Sequence, residues 1–327
     1  MDHSADKNNI NSMETTSSDL VRRVLRKRPS DMHKGHAGRV LIIAGQVGMA
    51  GAAVLSARGT LYSGAGLVKI SAPEEIFDIL QISVPEAMCI GRKGFASGSA
   101  GYDWSAYDAI AIGPGLGTGR EQTALLRKVL GEFDGPVIID ADGLNCLCTD
   151  LSMLQSRTAV TVITPHPGEA DRLLKAAGLP GYDKQDREGT AQRLLELMER
   201  EGSGQGESIV LLKGEGTLIL ASPEDGAQPK GYVNATGNPG MATGGSGDVL
   251  TGVIVSLLAQ VHAGAKANAR EKTERFMNAT YVEAVACAAY LHGLAGDLAA
   301  ANIGQYGMTS ADIADAISSA INEVTGF

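Results

Sequence analysis

A glycine-rich loop that runs directly into an apolar segment, residues 238–252, constrains this chain more than any other stretch. It reads NPGMATGGSGDVLTG, and the apolar residues from Val249 onward predict a buried helix. Because glycine has no side chain, a ligand can closely approach the backbone at Gly240, Gly244, Gly245 and Gly247. Free N–H groups and the helix dipole attract anions to a helix N-terminus, so we predict that Gly245, Ser246 and Gly247 form an anion hole for phosphate.

Asp248 stands in the first turn of this predicted helix, where its carboxylate would repel a bound phosphate. A carboxylate beside an anion hole suits phosphoryl transfer, in which the hole holds the moving charge and the carboxylate takes a proton from an attacking hydroxyl. The alternative is structural, because aspartate is common in first helical turns. Four glycines within residues 240–247, directly before the helix, favour the catalytic interpretation.

Composition limits the classes of protein to which the chain can belong. Its 28 lysines and arginines face 37 aspartates and glutamates, a formal net charge of −9, which argues against nucleic-acid and membrane-surface partners. The four cysteines form no C-x-x-C pair, so reduced thiols are expected. The polar N-terminus has no secretory signal and no run reaches the length and purity of a membrane span, so we expect a cytoplasmic protein.

Apolar runs of strand length alternate with helical segments along nearly the whole chain. Runs such as RVLIIAG at 39–45 and VTVITP at 160–165 are typical of buried parallel strands. The alternation predicts one α/β domain with a mainly parallel central sheet and helices on both faces. Its glycine-rich loops should converge at the carboxyl edge of the sheet, where such folds bind ligands.

Four segments lie outside this alternation. Residues 1–18 are polar and predict a disordered arm, so the domain is predicted to span 19–327. Residues 20–28, LVRRVLRKR, predict a short basic amphipathic helix. The polar residues 202–207 predict a flexible loop, and the charged residues 266–275 are interpreted as a surface insertion.

Several polar side chains follow predicted strands. Asp140 and Asp142 come after the strand at 136–139, and they either hold Mg²⁺ through water or cap the next helix; the residues alone favour neither. His166 stands between two prolines, in a rigid turn that favours a ligand contact over an incidental histidine. Lys213 precedes a glycine at a strand end, which suits a nucleotide contact, although a solvated strand terminus is the alternative.

Three other sequence features give weaker evidence of a functional site. The loop GPGLGTG at 113–119 follows a buried strand but lacks the glycine spacing of a dinucleotide fingerprint. His33 and His36 could ligate a metal ion, but nothing nearby completes such a site. The polarity of the loop explains these two histidines better. His292 is interpreted as a packed histidine rather than a ligand.

Nine motifs occur together and in order between residues 25 and 325. They are HKGHAGRVLIIAG, GMAGAA, SGAGLVKI, AIGPGLGTG, VIIDADGLN, ITPHPGEADRLL, VLLKGEGTLI, GNPGMATGGSGDVLTG and YLHGLAGD. With this ordered set the chain resembles the ADP/ATP-dependent NAD(P)H-hydrate dehydratases of the ribokinase-like superfamily. Such enzymes repair nicotinamide cofactors that are damaged when water adds to the reduced ring.

The resemblance implies a reaction and a set of ligands. The substrates would be the hydrates NADHX and NADPHX, with ADP or ATP as phosphate donor, ADP being favoured. Asp248 would be the catalytic base, and Mg²⁺ would balance the phosphate charge without a tight all-protein cage. The resemblance further implies a homotetramer and a separate NAD(P)H-hydrate epimerase as functional partner. It places Ala52, Gly115, His166 and Asp248 at the hydrate site, and Lys213, Gly214, Glu215, Gly216, Thr217 and Gly247 at the nucleotide site.

Two other functions use part of the same sequence signal. A ribokinase-superfamily kinase that phosphorylates a small alcohol, such as a vitamin precursor, would share the anion hole and Asp248 but would release a stable phosphorylated product. A non-catalytic nucleotide-binding module is the third hypothesis. The presence of both the glycine loop and Asp248 argues against that module, and the HPGE and KGEGT motifs favour the dehydratase.

Overall fold

The computed structural model describes residues 13–92, 102–155, 157–198, 207–222 and 230–327. Its strands are β1 Glu14–Thr15, β2 Arg39–Ile43, β3 Leu67–Ala72, β4 Met88–Gly91, β5 Ala109–Ile112, β6 Val137–Ile139, β7 Thr161–Ile163, β8 Ser208–Leu212, β9 Leu218–Ala221 and β10 Lys230–Val233. These ten strands of the described chain form one sheet in the order β1-β10-β9-β8-β7-β6-β5-β2-β3-β4. The sheet is mainly parallel, as predicted, and only β9 runs antiparallel to its neighbours.

The helices connect the strands and cover the sheet. Their bounds are α1 Ser18–Val24, α2 Ala50–Tyr62, α3 Phe77–Ser83, α4 Arg120–Glu132, α5 Asp142–Leu147, α6 Ser152–Gln155, α7 Pro167–Ala176, α8 Arg187–Met198, α9 Ser246–Glu271, α10 Tyr281–Ile303 and α11 Ser310–Thr325. The basic helix predicted at 20–28 is shorter than expected, because α1 ends at Val24 and the next residue, Leu25, is extended.

Alternate residues of the central strands belong to two different buried clusters. In β2, Val40 and Ile42 belong to the cluster that includes residues of α2, α9 and α10, whereas Leu41 and Ile43 belong to the cluster that includes residues of α4, α5 and α7. Side chains of a strand alternate between the two faces of a sheet. Near-continuous apolar runs such as RVLII are therefore required here, since both sets of side chains are buried.

Small residues bring α2 and α9 into close contact. A Cβ atom on Gly252 would lie 2.1 Å from the carbonyl oxygen of Ser56, and one on Gly59 would lie 2.4 Å from that of Val249. Thr60 Oγ1 donates a hydrogen bond to the carbonyl of Gly252 at 3.1 Å. The position of the α9 N-terminus over the sheet therefore depends on glycines in both helices.

Two predictions differ from the structure at helix α9. The charged segment 266–275 was interpreted as a surface insertion, but its residues 266–271 continue α9. The segment is largely exposed. In the described chain, α9 and α10 are long and apolar enough to cross a membrane by length and composition, contrary to the sequence-based expectation. Their apolar windows are 83% and 67% buried inside the fold, as core helices would be.

The sheet extends further than the sequence indicated. Residues 1–12 of the predicted arm and most of the predicted loop at 202–207 lie outside the described residues. The described end of the arm contains β1, which pairs in parallel with β10. Strands β8 and β9 form an antiparallel hairpin, and the outer strands β4 and β10 were not predicted.

Candidate active site

The N-terminus of α9 presents free backbone N–H groups. Gly245 precedes the helix with φ of +91°, and a Cβ atom there would lie 2.4 Å from Leu55 Cδ1, so both conformation and space require glycine. The N–H groups of Gly247 and Asp248 make no hydrogen bond to the described part of the chain. Of the residues predicted to form the anion hole, Gly247 therefore has an unbonded donor at the positive end of a long helix, whereas the Ser246 N–H donates to the Thr243 carbonyl at 3.4 Å.

Asp248 is the third residue of α9 and is partly buried. Burial, followed by the neighbouring carboxylate of Asp140, raises the pKa of the Asp248 carboxyl from 3.8 to about 7, and Asp142 and Glu169 add to the effect. Lys213 opposes these effects but does not cancel them. A carboxyl group with a pKa near neutrality can accept a proton at working pH, which is what a general base requires.

A buried ion pair lies beneath Gly247. Lys213 Nζ donates to Asp140 Oδ1 at 2.7 Å and lies 3.8 Å from Glu169 Oε2, and both carboxylates are almost completely buried. Burial acts to lower the pKa of the Lys213 ammonium, but Asp140 and Glu169 outweigh it, so the pKa is raised and the group stays charged. Thr251 Oγ1 donates to the other oxygen, Asp140 Oδ2, at 2.7 Å.

The two carboxylates after β6 have different partners. Asp140 pairs with Lys213, whereas Asp142 is the first residue of α5, and its Oδ2 accepts a hydrogen bond from the backbone N–H of Gly117 at 2.8 Å. Asp142 thus tethers the glycine loop after β5. Between the two carboxylates, Ala141 adopts φ of +49° and ψ of −119°, a conformation that is strained for a residue with a side chain.

Gly113 allows the loop after β5 to pass against the end of β6. A Cβ atom on Gly113 would lie 1.8 Å from the carbonyl oxygen of Asp140, and its φ is +131°. This carbonyl also accepts the N–H of Gly143 at 2.9 Å, so it cannot turn away without loss of that bond. Gly113 therefore helps to hold Asp140 in position under α9.

His166 is the N-cap residue of α7. Its Nδ1 accepts the N–H of Gly168 at 3.0 Å, while Glu169 Oε2 accepts the N–H of His166 at 2.9 Å. Half of the His166 side chain remains exposed, and its Nε2 lies 3.4 Å from Glu169 Oε1. The cap fixes the direction of the imidazole, and Glu169 connects it to Lys213 and Asp248.

Ala52 and Gly115, the other residues predicted at the hydrate site, lie against each other. A Cβ atom on Gly115 would lie 3.0 Å from Ala52 Cβ, and the φ of Gly115 is +56°. Their two loops are joined by the hydrogen bond from Gly45 N–H to the Pro114 carbonyl at 2.8 Å. Two contacts connect this pair to Asp248 and its charged neighbours. Leu55 of α2 lies against Gly245, and Gly113 lies against Asp140.

The predicted nucleotide loop, residues 213–217, is a tight turn between β8 and β9. Gly214 and Gly216 have φ of +140° and +56°, and Thr217 Oγ1 donates to the Gly214 carbonyl at 2.9 Å. Arg187, at the start of α8, was not predicted, yet its guanidinium donates to the carbonyls of Leu212, Glu215 and Gly216. No sequence signal indicates this role, because its acceptors are backbone atoms.

Helix α10 holds the beginning of the glycine-rich loop, and this role was also missed. Asp297 accepts hydrogen bonds from Gly237 N–H and Asn238 Nδ2, both at 2.9 Å. His292 is buried as predicted, and its Nε2 lies 3.4 Å from Ser246 Oγ. His292, Gly293, Gly296 and Asp297 occur at helical spacing in YLHGLAGD. Residues at this spacing lie on the same side of a helix, so the motif indicates one contact face.

Comparison with known proteins identifies the class of this fold and site. The family profile described as NAD(P)H-hydrate dehydratase matches residues 40–319, and the chain belongs to that family. The fold is ribokinase-like. A ribokinase-like superfamily protein of Enterococcus faecalis is 27% identical, with a TM-score of 0.73 over 95% of this chain and 96% of that one. The ADP/ATP-dependent NAD(P)H-hydrate dehydratase of Bacillus subtilis, co-crystallized with ATP and Mg²⁺, is 27% identical with a TM-score of 0.74 over 97% of this chain and 100% of that one.

Two relatives show different lengths. The ADP-dependent (S)-NAD(P)H-hydrate dehydratase of Neisseria meningitidis is 34% identical over 92% of this chain and 91% of its own. The bifunctional NAD(P)H-hydrate repair enzyme of Moorella thermoacetica is 36% identical over 89% of this chain but only 50% of its own. The chain thus spans about half the length of the bifunctional relatives that it matches.

Proposed function

We propose that this chain is an ADP-dependent (S)-NAD(P)H-hydrate dehydratase, which restores NADH and NADPH from NADHX and NADPHX while ADP is converted to AMP and phosphate. The observation that carries the proposal is the Asp248 carboxyl, whose pKa of about 7 places a proton acceptor beside the free N–H groups of α9. The Neisseria relative is named for ADP, which supports ADP as the donor. Both hydrates are proposed as substrates.

In the proposed reaction, Asp248 accepts the proton of the hydrate's ring hydroxyl while that oxygen attacks the terminal phosphorus of ADP. The bond from this phosphorus to the bridging oxygen breaks, and AMP leaves. The free backbone N–H groups of Gly247 and Asp248 stabilise the charge on the transferred phosphoryl group. The lone pair of the ring nitrogen then expels phosphate, and loss of a proton from the adjacent ring carbon restores the double bond of NADH or NADPH.

Lys213 supplies a fixed positive charge at the nucleotide end of the site. A Cβ atom on Gly247 would lie 3.4 Å from Lys213 Nζ, so glycine at 247 leaves the path between the ammonium and a phosphate open. The turn at 213–217, held by Arg187, would contact the nucleotide, while Ala52, Gly115 and His166 would line the hydrate pocket.

Mg²⁺ is proposed to enter the site with the nucleotide. The described residues hold no group of three or more His, Cys, Asp or Glu side chains placed for a metal ion. Asp140 and Asp142 are engaged by Lys213, Thr251 and Gly117, so phosphate oxygens and water would supply most ligands. The ion would neutralise phosphate charge, while proton transfer remains the task of Asp248.

A recovery assay tests the proposed function. Purified protein, Mg²⁺ and hydrated NADH are mixed with ADP or ATP in separate reactions, and the absorbance of the reduced nicotinamide is followed. We expect recovery with ADP, with AMP and phosphate formed in equal amounts. Absence of recovery with either nucleotide would contradict the proposal. A stable phosphorylated product from an alcohol substrate would establish the kinase function instead.

The larger organisation of the protein is proposed on the same basis. We propose a cytoplasmic homotetramer built from a single domain at 19–327, with helices over both faces of the sheet, as the two buried clusters support. The hydrate epimerase was expected as a separate partner. The names of the longer relatives describe bifunctional repair enzymes, so the epimerase is proposed to accompany this activity either as a partner or on the same chain.

A further inference from the structure

A cavity of about 500 Å³ lies far from Asp248, at the opposite edge of the sheet. It is lined by residues that follow α1 and by the C-terminal parts of α2, α9 and α11. Gly64, on its wall, precedes β3, whereas the active-site loops follow the carboxyl ends of their strands. Gln260, also on its wall, lies twelve residues after Asp248 in α9, which is about 18 Å along the helix axis. The cavity is therefore separate from the site described above.

Three cations without carboxylate partners stand at the rim of this cavity. Arg26 donates to the carbonyl of Glu274 at 2.7 Å, and Arg28 donates to the carbonyl of Gly64. Within the described residues, neither arginine nor the exposed Lys27 forms an ion pair with a carboxylate. In a chain with a net charge of −9, this local excess of positive charge favours an anionic ligand.

The fourth cation of the lining is already neutralised. Arg275 Nη1 lies 2.9 Å from Asp31 Oδ2, and its Nη2 lies 2.9 Å from Glu271 Oε2. Both carboxylates point to Arg275 rather than to the rim cations. The charge available to a ligand is therefore that of Arg26, Lys27 and Arg28.

His36 provides a buried polar group on the cavity wall. Its side chain is 8% exposed, and neither ring nitrogen makes a hydrogen bond to the described chain. The nearest carboxylate oxygen, Glu271 Oε1, lies 3.6 Å from Nε2, and the ring stacks on His33 with centroids 3.6 Å apart. Unbonded buried polar groups are uncommon because they lose their hydrogen bonds to water. Both ring nitrogens are also inaccessible from the cavity, so the charge that faces a ligand comes from the rim cations.

The rest of the lining is largely apolar. Met32, Met277 and Ile321 contribute to the wall, and Phe327 lies half exposed at its edge. The volume is within the range of small-molecule sites, about 300–1,000 Å³, and such sites combine apolar walls with a few convergent polar groups. A bare inorganic anion would leave these walls in contact with water.

We propose that this cavity binds a small organic anion, with a compact anionic head group near Arg26, Lys27 and Arg28 and an apolar body against the methionine and isoleucine walls. The ligand is a metabolite-sized molecule rather than a macromolecule. The site is independent of the dehydratase reaction, so its test does not depend on the proposed function.

The probe for the test is 8-anilinonaphthalene-1-sulfonate, an aromatic sulfonate whose fluorescence rises in an apolar site. The full chain is titrated in the presence of excess ADP, and N-phenyl-1-naphthylamine, which has the same aromatic body without the sulfonate, is titrated in parallel. We expect saturable binding of one sulfonate probe per chain that octanoate displaces and inorganic phosphate does not. The uncharged probe should bind at least tenfold more weakly.

Matched variants locate the binding. Lys27→Met together with Arg28→Met should raise the Kd of the sulfonate probe about tenfold. Lys184→Met removes an exposed cation elsewhere and should leave the Kd unchanged. The proposal is overturned if the rim variant binds the probe as the control does, if phosphate alone displaces the probe, or if binding does not saturate. Thermal melts of each variant confirm that the variants are folded.

Discussion

Lys213 Nζ lies 2.7 Å from Asp140 Oδ1 directly beneath Gly247, and this pair sets the electrostatics of the candidate active site. Both groups come from the ends of strands, while Asp248 comes from the helix above them. Burial and then the carboxylate of Asp140 raise the pKa of Asp248, and the Lys213 ammonium offsets only part of this effect. The site therefore combines a fixed cation for phosphate with a carboxyl group that is ready to accept a proton.

Replacement of the proposed base gives the most direct test of the mechanism. Asp248→Asn keeps the shape of the first turn but cannot accept the proton, so kcat should fall by about 10³-fold or more. Binding of ADP, measured by calorimetry, should stay within about twofold of the parent or become tighter, because a negative charge is removed. Asp19→Asn, an exposed first-turn aspartate of α1, is the control and should have full activity. Full activity in Asp248→Asn would exclude the assigned role.

The rate should depend on the protonation of Asp248. Because its pKa lies near 7, the carboxyl becomes protonated as the pH falls below that value and can no longer act as a base. We expect kcat/KM for hydrated NADH to fall about tenfold per pH unit below pH 7 and to level off above pH 8. Initial rates between pH 6 and 8.5 measure this profile. A rate that is constant down to pH 6 would contradict it.

The same group should reduce the stability of the protein at alkaline pH. In the folded state the Asp248 carboxyl is protonated below about pH 7, whereas with its unperturbed pKa of 3.8 it would be protonated only below about that pH. Between these two pH values the folded state binds more protons than the unfolded state, so the free energy of unfolding falls as the pH rises. Asp248→Asn should therefore be more stable than the parent at pH 8, by about 1–2 kcal/mol, with little difference at pH 4. Urea unfolding at both pH values measures the difference, and equal stabilities at pH 8 would argue against the raised pKa.

Loss of the buried ion pair should be costly. Lys213→Met leaves the carboxylate of Asp140, which is 1% exposed, without its cation, so the free energy of unfolding should fall by about 3 kcal/mol. Adding Asp140→Asn to that variant should recover part of this loss. Lys175→Met is a matched control, since Lys175 pairs with Asp171 at the same 2.7 Å but on the surface, and it should cost less than about 1 kcal/mol. Similar losses for both lysines would show that burial does not matter here.

Gly113 should tolerate no side chain. A Cβ atom there would overlap the carbonyl oxygen of Asp140, so Gly113→Ala should destabilise the fold by about 4 kcal/mol or more. Gly131→Ala, in α4, meets nothing within 4 Å and should stabilise the protein by about 0.5–1 kcal/mol. Denaturant unfolding of the two variants gives the comparison. A Gly113→Ala protein with the stability of the parent would contradict the close contact.

Sequence patterns were most informative where local chemistry decides the structure. The buried runs RVLIIAG and VTVITP contain β2 and β7, as predicted. The strands β1 and β10 were missed because they are short and because β1 pairs with a strand far away in the sequence. Arg187 and Asp297 were missed because they bind backbone groups of distant loops, which side-chain patterns do not reveal.

The sequence by itself determined that a glycine loop enters a helix with an aspartate in its first turn, because conformational freedom and helix capping are local properties. Only the tertiary structure decided what that aspartate can do. Its pKa depends on burial and on Asp140, Asp142 and Glu169, which reach it from other elements of the fold. Burial removes water from all of these groups together, and the resulting electrostatic interactions depend on distances in space rather than on separation along the chain.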